Sequence, residues 1–218
     1  MEDLDTKTRI LDAAEKLFAD NGFSAVSLRT IIKAAGVNTA SVHYHFGSKD
    51  GLIAAVFERR ATPVNAERLG MLDDIEAEHP SGPLPLKRVL QAFVFPVVRL
   101  RQDPKSERPM FARLMARLLN EPDPMAATIV HDTFTTIFAR FSTAFARALP
   151  ELPPEEIYIR IHFAVGAMAF SIAGPHFFGD HKPQGTQTNI NHIMRSLVDF
   201  IEAGMRTPVT ETVPGDET

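Results

Sequence analysis

Between Ser24 and Lys49 the chain carries Arg29, Lys33 and Lys49 and no Asp or Glu. Around these cations stand Ser27, Asn38, Thr39, Ser41, His43 and Tyr44, with the small Ala40 among them. Cations of this kind meet phosphates, and short hydroxyl and amide groups meet phosphates or base edges, so the chemistry indicated is nucleic-acid contact. The net charge of −4 does not argue against it. Screening limits distant charge to roughly 10 Å, and a local positive face is enough.

Other chemistries find less support. No Ser/His/Asp constellation, Gly-rich phosphate loop or paired-carboxylate spacing is visible, and Glu155 and Glu156 read as first-turn helix acids. No enzyme activity and no cofactor are expected. His43 and His45 lie two apart and point about 200° apart on a helix, so one ion does not bridge them. His176, Asp180 and His181 fall in a loop of looser geometry, and no metal site is expected. The chain has no Cys, which excludes disulfides and thiolate sites and suits a reducing cytoplasm.

The contact residues need elements to hold them. Leu28, Ile31, Ile32 and Ala35 fall at helical spacing after Ser27, an N-cap, and Gly36 can end that helix in the left-handed conformation. Asn38 then caps a second short helix, with Val37 placed to staple onto Val42. Helix, Gly turn and capped helix make a helix-turn-helix. On a helical wheel Val42 and Phe46 point inward, with Thr39 and His45 near them; Ala40 and Tyr44 point out, flanked by Ser41 and His43.

A preceding helix is predicted from about Thr6 to Asn21, on the stripe Ile10, Leu11, Ala14, Leu17 and Phe18, ended by Gly22. A fourth helix follows Ser48 with Leu52, Ile53, Val56 and Phe57 as its apolar face, and Pro63 is expected to kink or interrupt it. After the turn-rich HPSGPLP at 79–85, helical segments are expected at Leu86 to Leu100, Pro109 to Leu119, Pro124 to Leu149, Pro154 to Ala173 and Asn189 to Met205. No stretch alternates as a strand does, so the fold class is all-α. Ile161 to Gly179 lacks charge and is near membrane-spanning length, but His162, His176 and Pro175 favour a buried helix and no membrane role. The N-terminus is acidic without an apolar run, so no secretory signal is expected.

The run from Ile10 through Phe57, with AEKLFADNGF, SLRTIIKAAGV and HYHFGSK, resembles the DNA-binding domain of TetR-family transcriptional regulators. The resemblance implies a three-helix helix-turn-helix head at residues 1–50, and a larger helical bundle at 51–206 that binds ligand and dimerises through a four-helix interface. Residues 207–218 are polar, Pro-containing and expected to be disordered. It also implies a homodimer on double-stranded operator DNA, with Arg29, Asn38, Thr39, Ala40, Tyr44 and Lys49 at or near the DNA. A Tyr usually stands where this chain has His43, with Tyr44 following here, so either can make the phosphate contact; a His43 contact would strengthen on protonation.

Beyond the head the chain is rich in Phe. Phe93, Phe111 with Leu114, Phe134 with Phe138 and Phe141, and Phe170 with Met168 fall on helical stripes that can fill a core or line an apolar cavity. Arg113 and Arg117, four apart, can hold a carboxylate or phosphate at its mouth. LPPEEIYIRIHFAVGAMAFSIAG at 152–174, EAGMR at 202–206 and GVNTASVHYHFGSK at 36–49 are similar to the PsrA-like branch of the family. That similarity implies a repressor released by a small apolar effector, a long-chain fatty acid or acyl-CoA. Ile157 to Ala173 is apolar on nearly every side and, with Ile193, Leu197, Val198 and Ile201 after it, suits a dimer face. The competing reading is a helical lipid-binding carrier whose head is structural and binds no DNA.

Overall fold

The computed structural model describes residues 2–99, 114, 124–173 and 189–209. Among them every regular element is a helix: α1 (Glu2–Asn21), α2 (Leu28–Ala35), α3 (Thr39–Phe46), α4 (Lys49–Glu78), α5 (Leu86–Arg99), α6 (Pro124–Ala148), α7 (Pro154–Ala173) and α8 (Ile190–Met205). The all-α architecture, with a helix-turn-helix head and a further helical domain, agrees with the sequence reading. The segment Pro109 to Leu119 lies outside the described residues except for Leu114, which is buried.

The chain divides into two units, Met1–Ala66 with Arg99–Ile137, and Glu67–Val98 with Phe138–Thr218. In the first, Ile10, Ala14 and Phe18 of α1 bury their shared stripe against Phe23, Ile31 and Val42, and Leu52, Val56 and Phe57 of α4 complete the core. The rings of Phe18 and Phe23 lie 5.4 Å apart, and those of Phe23 and Phe57 5.7 Å. Burying an apolar side chain of this size contributes about 1.5–3 kcal/mol, which outweighs the weak intrinsic stability of eight-residue helices such as α2 and α3.

In the second unit the core is a ring cluster. Phe93 of α5 meets Phe141 at 5.0 Å and Phe145 at 5.9 Å, both on α6. Cations tie its helices at their ends. Arg140 reaches Asp73 at 2.7 Å and Glu76 at 2.9 Å, Arg88 pairs with Glu78, and Arg147 donates to the carbonyl of His79 at 2.8 Å. Arg160 of α7 donates to the carbonyl oxygens of Met205 and Thr207, at 2.8 and 2.6 Å, and so closes the end of α8 onto α7.

Two expectations about helix limits change. α1 starts at Glu2, a turn earlier than its apolar stripe requires. Pro63 does not interrupt α4, which continues through it to Glu78. A proline removes one backbone donor and crowds the preceding turn, at a cost of about 3 kcal/mol. Here Pro63 is exposed while Ala61, Val64 and Arg68 on the same helix are buried, so tertiary packing on the inner face holds the helix across it.

Candidate nucleic-acid interface

The helix-turn-helix is assembled by its caps as the residues predict. Ser27 Oγ accepts from the Thr30 N–H at 3.2 Å, and Asn38 Oδ1 accepts from the Ser41 N–H at 2.8 Å. Gly36 between them has φ +63°, and a Cβ there would also lie 3.0 Å from Arg9 Nη2. That guanidinium is the fastening the sequence reading missed: Nη2 of Arg9 donates to the carbonyls of Ala35 at 2.7 Å and Gly36 at 3.0 Å. It satisfies the free carbonyl end of α2 and fixes the turn to α1.

On α3 the inner face is carried by Val42, 1% exposed, while Phe46 is half-buried. Thr39, Ala40, His43 and Tyr44 are exposed, Tyr44 at 78%, and form one outward surface. Thr39 thus joins the outer face rather than the inner one, because an eight-residue helix backed by a single buried residue leaves its first turn open. Arg29, Asn38 and Ser27 are exposed beside this surface; Ser41 and Lys49 are half-buried. Ser27 and Asn38 already use a side-chain oxygen as a cap, and the Ser41 hydroxyl lies 3.0 Å from Asn38 Oδ1. Of Asn38, the amide Nδ2 is the part left for a ligand.

His43 and Tyr44 differ in what they can offer. His43 Nδ1 lies 2.9 Å from the Gly47 carbonyl. A carbonyl only accepts, so the ring keeps its proton on Nδ1, and neutral His43 presents Nε2 outward as an acceptor. A phosphate needs a donor. Tyr44 supplies one in its hydroxyl; with its ring proton turned to Gly47, neutral His43 offers only an acceptor at Nε2.

The start of α4 is set close behind α3. Ser48 Oγ accepts from the Gly51 N–H at 3.0 Å, and a Cβ on Gly51 would collide with the Phe46 carbonyl oxygen. Further along, Arg59 and Arg60 grip Glu15, whose side chain is 3% exposed. Arg60 Nε is 2.7 Å from Glu15 Oε1, and Arg59 also reaches Asp12 at 2.7 Å. This buried carboxylate, also missed in sequence, ties α4 to α1.

The proposed effector residues that the structure describes fall in both units. Phe93 and Phe141 are buried in ring contact in the second unit, where Met168 is buried too. Leu114 and Phe134 belong to the first unit. Phe138 is 38% exposed, and Phe170, expected inside, is 46% exposed on the outer side of α7. Phe111, Arg113 and Arg117 lie outside the described residues, as do His176, Asp180 and His181. Among the described residues no helix is long and apolar enough to cross a membrane.

Comparison with known proteins agrees with this geometry. Residues 10–56 match the family described as bacterial regulatory proteins, tetR family, and residues 91–204 match the tetracyclin repressor-like C-terminal domain. The chain belongs to the tetR family of bacterial regulatory proteins. The transcriptional regulator UidR of Escherichia coli K12 is 41% identical over 51 residues, 23% of this chain and 26% of that protein, so the match spans about a quarter of that relative. The fold extends further. SmeT, the repressor of the Stenotrophomonas maltophilia multidrug efflux pump SmeDEF, is 20% identical with TM-score 0.62, over 96% of this chain and all (100%) of that one. FadR from Bacillus subtilis in complex with stearoyl-CoA is 13% identical with TM-score 0.67, over 90% and 98%.

Proposed function

We propose that this protein is a transcriptional repressor that binds a palindromic operator as a homodimer and is released by a small apolar effector. The observation that carries the reading is the exposed α3 surface, cap-fixed and flanked by Arg29 and Lys49, in a chain of this family. Residues 1–50 read the DNA; residues 51–206 bind effector and dimerise, in the cytoplasm. Thr39 and Ala40, with Asn38 Nδ2 beside them, face base edges, and Arg29, Tyr44 and Lys49 hold phosphates. Tyr44 rather than His43 makes the contact in the middle of α3, by the donor argument above.

Support for the dimer comes from α7, which has two opposite apolar stripes. Ile157, Ile161, Ala164 and Met168 are buried within the unit, whereas Ile159, Phe163 and Gly166 are exposed, with Phe163 at 71%. On α8, Leu197, Val198 and Ile201 are buried inside the unit, contrary to their expected place at the dimer face, and Phe200 is 71% exposed instead. A Cβ on Gly166 would meet nothing within 4 Å, so a partner helix can approach there. Exposed aromatics on two adjacent helices suit a self-complementary four-helix face.

For the effector, the Phe93, Phe141 and Phe145 cluster beside Met168 supports an apolar ligand of the fatty-acid or acyl-CoA class, as does the similarity to the PsrA-like branch. The stearoyl-CoA bound to the FadR of shared fold points the same way. The test is binding of the full chain to the DNA upstream of its own gene, followed by fluorescence anisotropy across salt. A steep fall in affinity with salt is expected, with loss of specific binding in the Arg29→Ala, Lys49→Ala double variant. Specific binding that survives both changes overturns the interface.

A further inference from the structure

One buried charge in the second unit has no counter-charge among the described residues. Arg68 of α4 is 3% exposed. Its Nε donates to the Phe93 carbonyl at 2.9 Å, its guanidinium carbon lies 4.7 Å from the centre of the Phe93 ring, and Nη2 reaches Met168 Sδ at 3.6 Å. A guanidinium has five N–H donors in a planar fork. Among the described residues it meets one carbonyl and one thioether, a weak acceptor. Among the described residues no carboxylate pairs with it, although Arg59, Arg60, Arg88 and Arg140 all have theirs. Desolvation by burial pulls the Arg68 guanidinium down to about 9.

A neutral donor would serve the Phe93 carbonyl without the desolvation cost of a full charge. A fork of donors held in an apolar setting is instead the arrangement that binds an anionic oxygen pair tightly, because no water competes. Met168 is the yielding part: its side chain is flexible, and its long contact to Nη2 is readily exchanged for a charge-assisted one. We propose that Arg68 is the anchor for the anionic head of the effector, a carboxylate or phosphate carried on an apolar body that lies along the Phe93, Phe141 and Phe145 rings. This rests on the apolar-effector reading and adds to it the polar group that orients the ligand. Met168 stands on α7, the helix that carries the proposed dimer face, so a ligand that displaces Met168 acts directly on that helix.

The test uses the full chain with three probes, palmitate, palmitoyl-CoA and hexadecanol, with binding followed by calorimetry and release of labelled upstream DNA followed by anisotropy. The wild-type protein is expected to bind at least one anionic probe about tenfold or more tighter than hexadecanol, a preference that Arg68→Met abolishes. Loss confined to palmitate identifies the anion as a carboxylate, and loss confined to palmitoyl-CoA identifies it as a phosphate. Arg68→Lys, which keeps the charge without the fork, is expected to retain part of the preference and serves if the methionine variant does not fold. Equal affinity of the wild type for anionic and neutral probes, or an undiminished preference in Arg68→Met, overturns the anchor and leaves the apolar effector standing. Failure of all three probes to bind overturns both.

Discussion

Two buried charges, one in each unit, are treated in opposite ways. Glu15 in the head is enclosed by Arg59 and Arg60, with Asp12 sharing Arg59, whereas Arg68 in the second unit is enclosed by a carbonyl, a thioether and a ring. A balanced buried cluster is a fastening, since removal of one partner strands the others. An unbalanced one weakens the ligand-free fold and is retained where something else supplies the missing charge. The contrast fits a head that must keep α3, α4 and Lys49 in fixed register and a second unit that must respond.

The largest effect is expected from Glu15→Ala, which takes the buried carboxylate away from Arg59 and Arg60 and should lower unfolding stability by about 3 kcal/mol, read by urea denaturation. Gly51→Ala comes next. It drives a methyl into the Phe46 carbonyl and should cost about 2 kcal/mol, with weakened DNA binding because the α3–α4 joint shifts. Arg68→Met is the opposite case, and the ligand-free variant should match or exceed wild type by about 1 kcal/mol at pH 7. The sign follows from the lowered value: the folded chain disfavours charged Arg68 more than the unfolded chain does. The penalty is therefore full below pH about 9 and fades as pH rises past it, so the advantage of Arg68→Met shrinks above about 9. A large loss of stability in Arg68→Met would erase the contrast between the two charges. The smallest effects belong to the caps and single phosphate contacts: Ser27→Ala should cost about 1 kcal/mol, and Tyr44→Phe should reduce DNA affinity at pH 7 more than His43→Gln does. A reversal of that last order would assign the phosphate contact to His43.

The helix-turn-helix was legible in sequence almost to the residue, through Ser27, Gly36, Asn38 and Val42, because caps and turns are made by neighbours three or four residues apart. The starts of α6 to α8 were legible for the same reason, through Pro124, Pro154 and Asn189. The effector residues were legible only as a pool of aromatics. A Phe stripe records that a helix is buried and not which partner buries it, so Phe170 and Phe138 read like Phe93 and Phe141.

The sequence by itself thus determined the helices, their caps, most of the outward set on α3 and the local positive charge, all products of short-range spacing. Tertiary structure decided the rest. Arg9 reaches the end of α2 across 26 residues, Glu15 meets Arg59 and Arg60 across 44 and 45, and Arg68 meets Met168 across 100. Whether a charge is matched or stranded depends on which distant side chains the fold brings within about 4 Å, and no spacing along the chain encodes that. The same holds for α7, whose two apolar stripes look alike in sequence. Packing against α8 and its neighbours buries one of them and leaves Phe163 exposed.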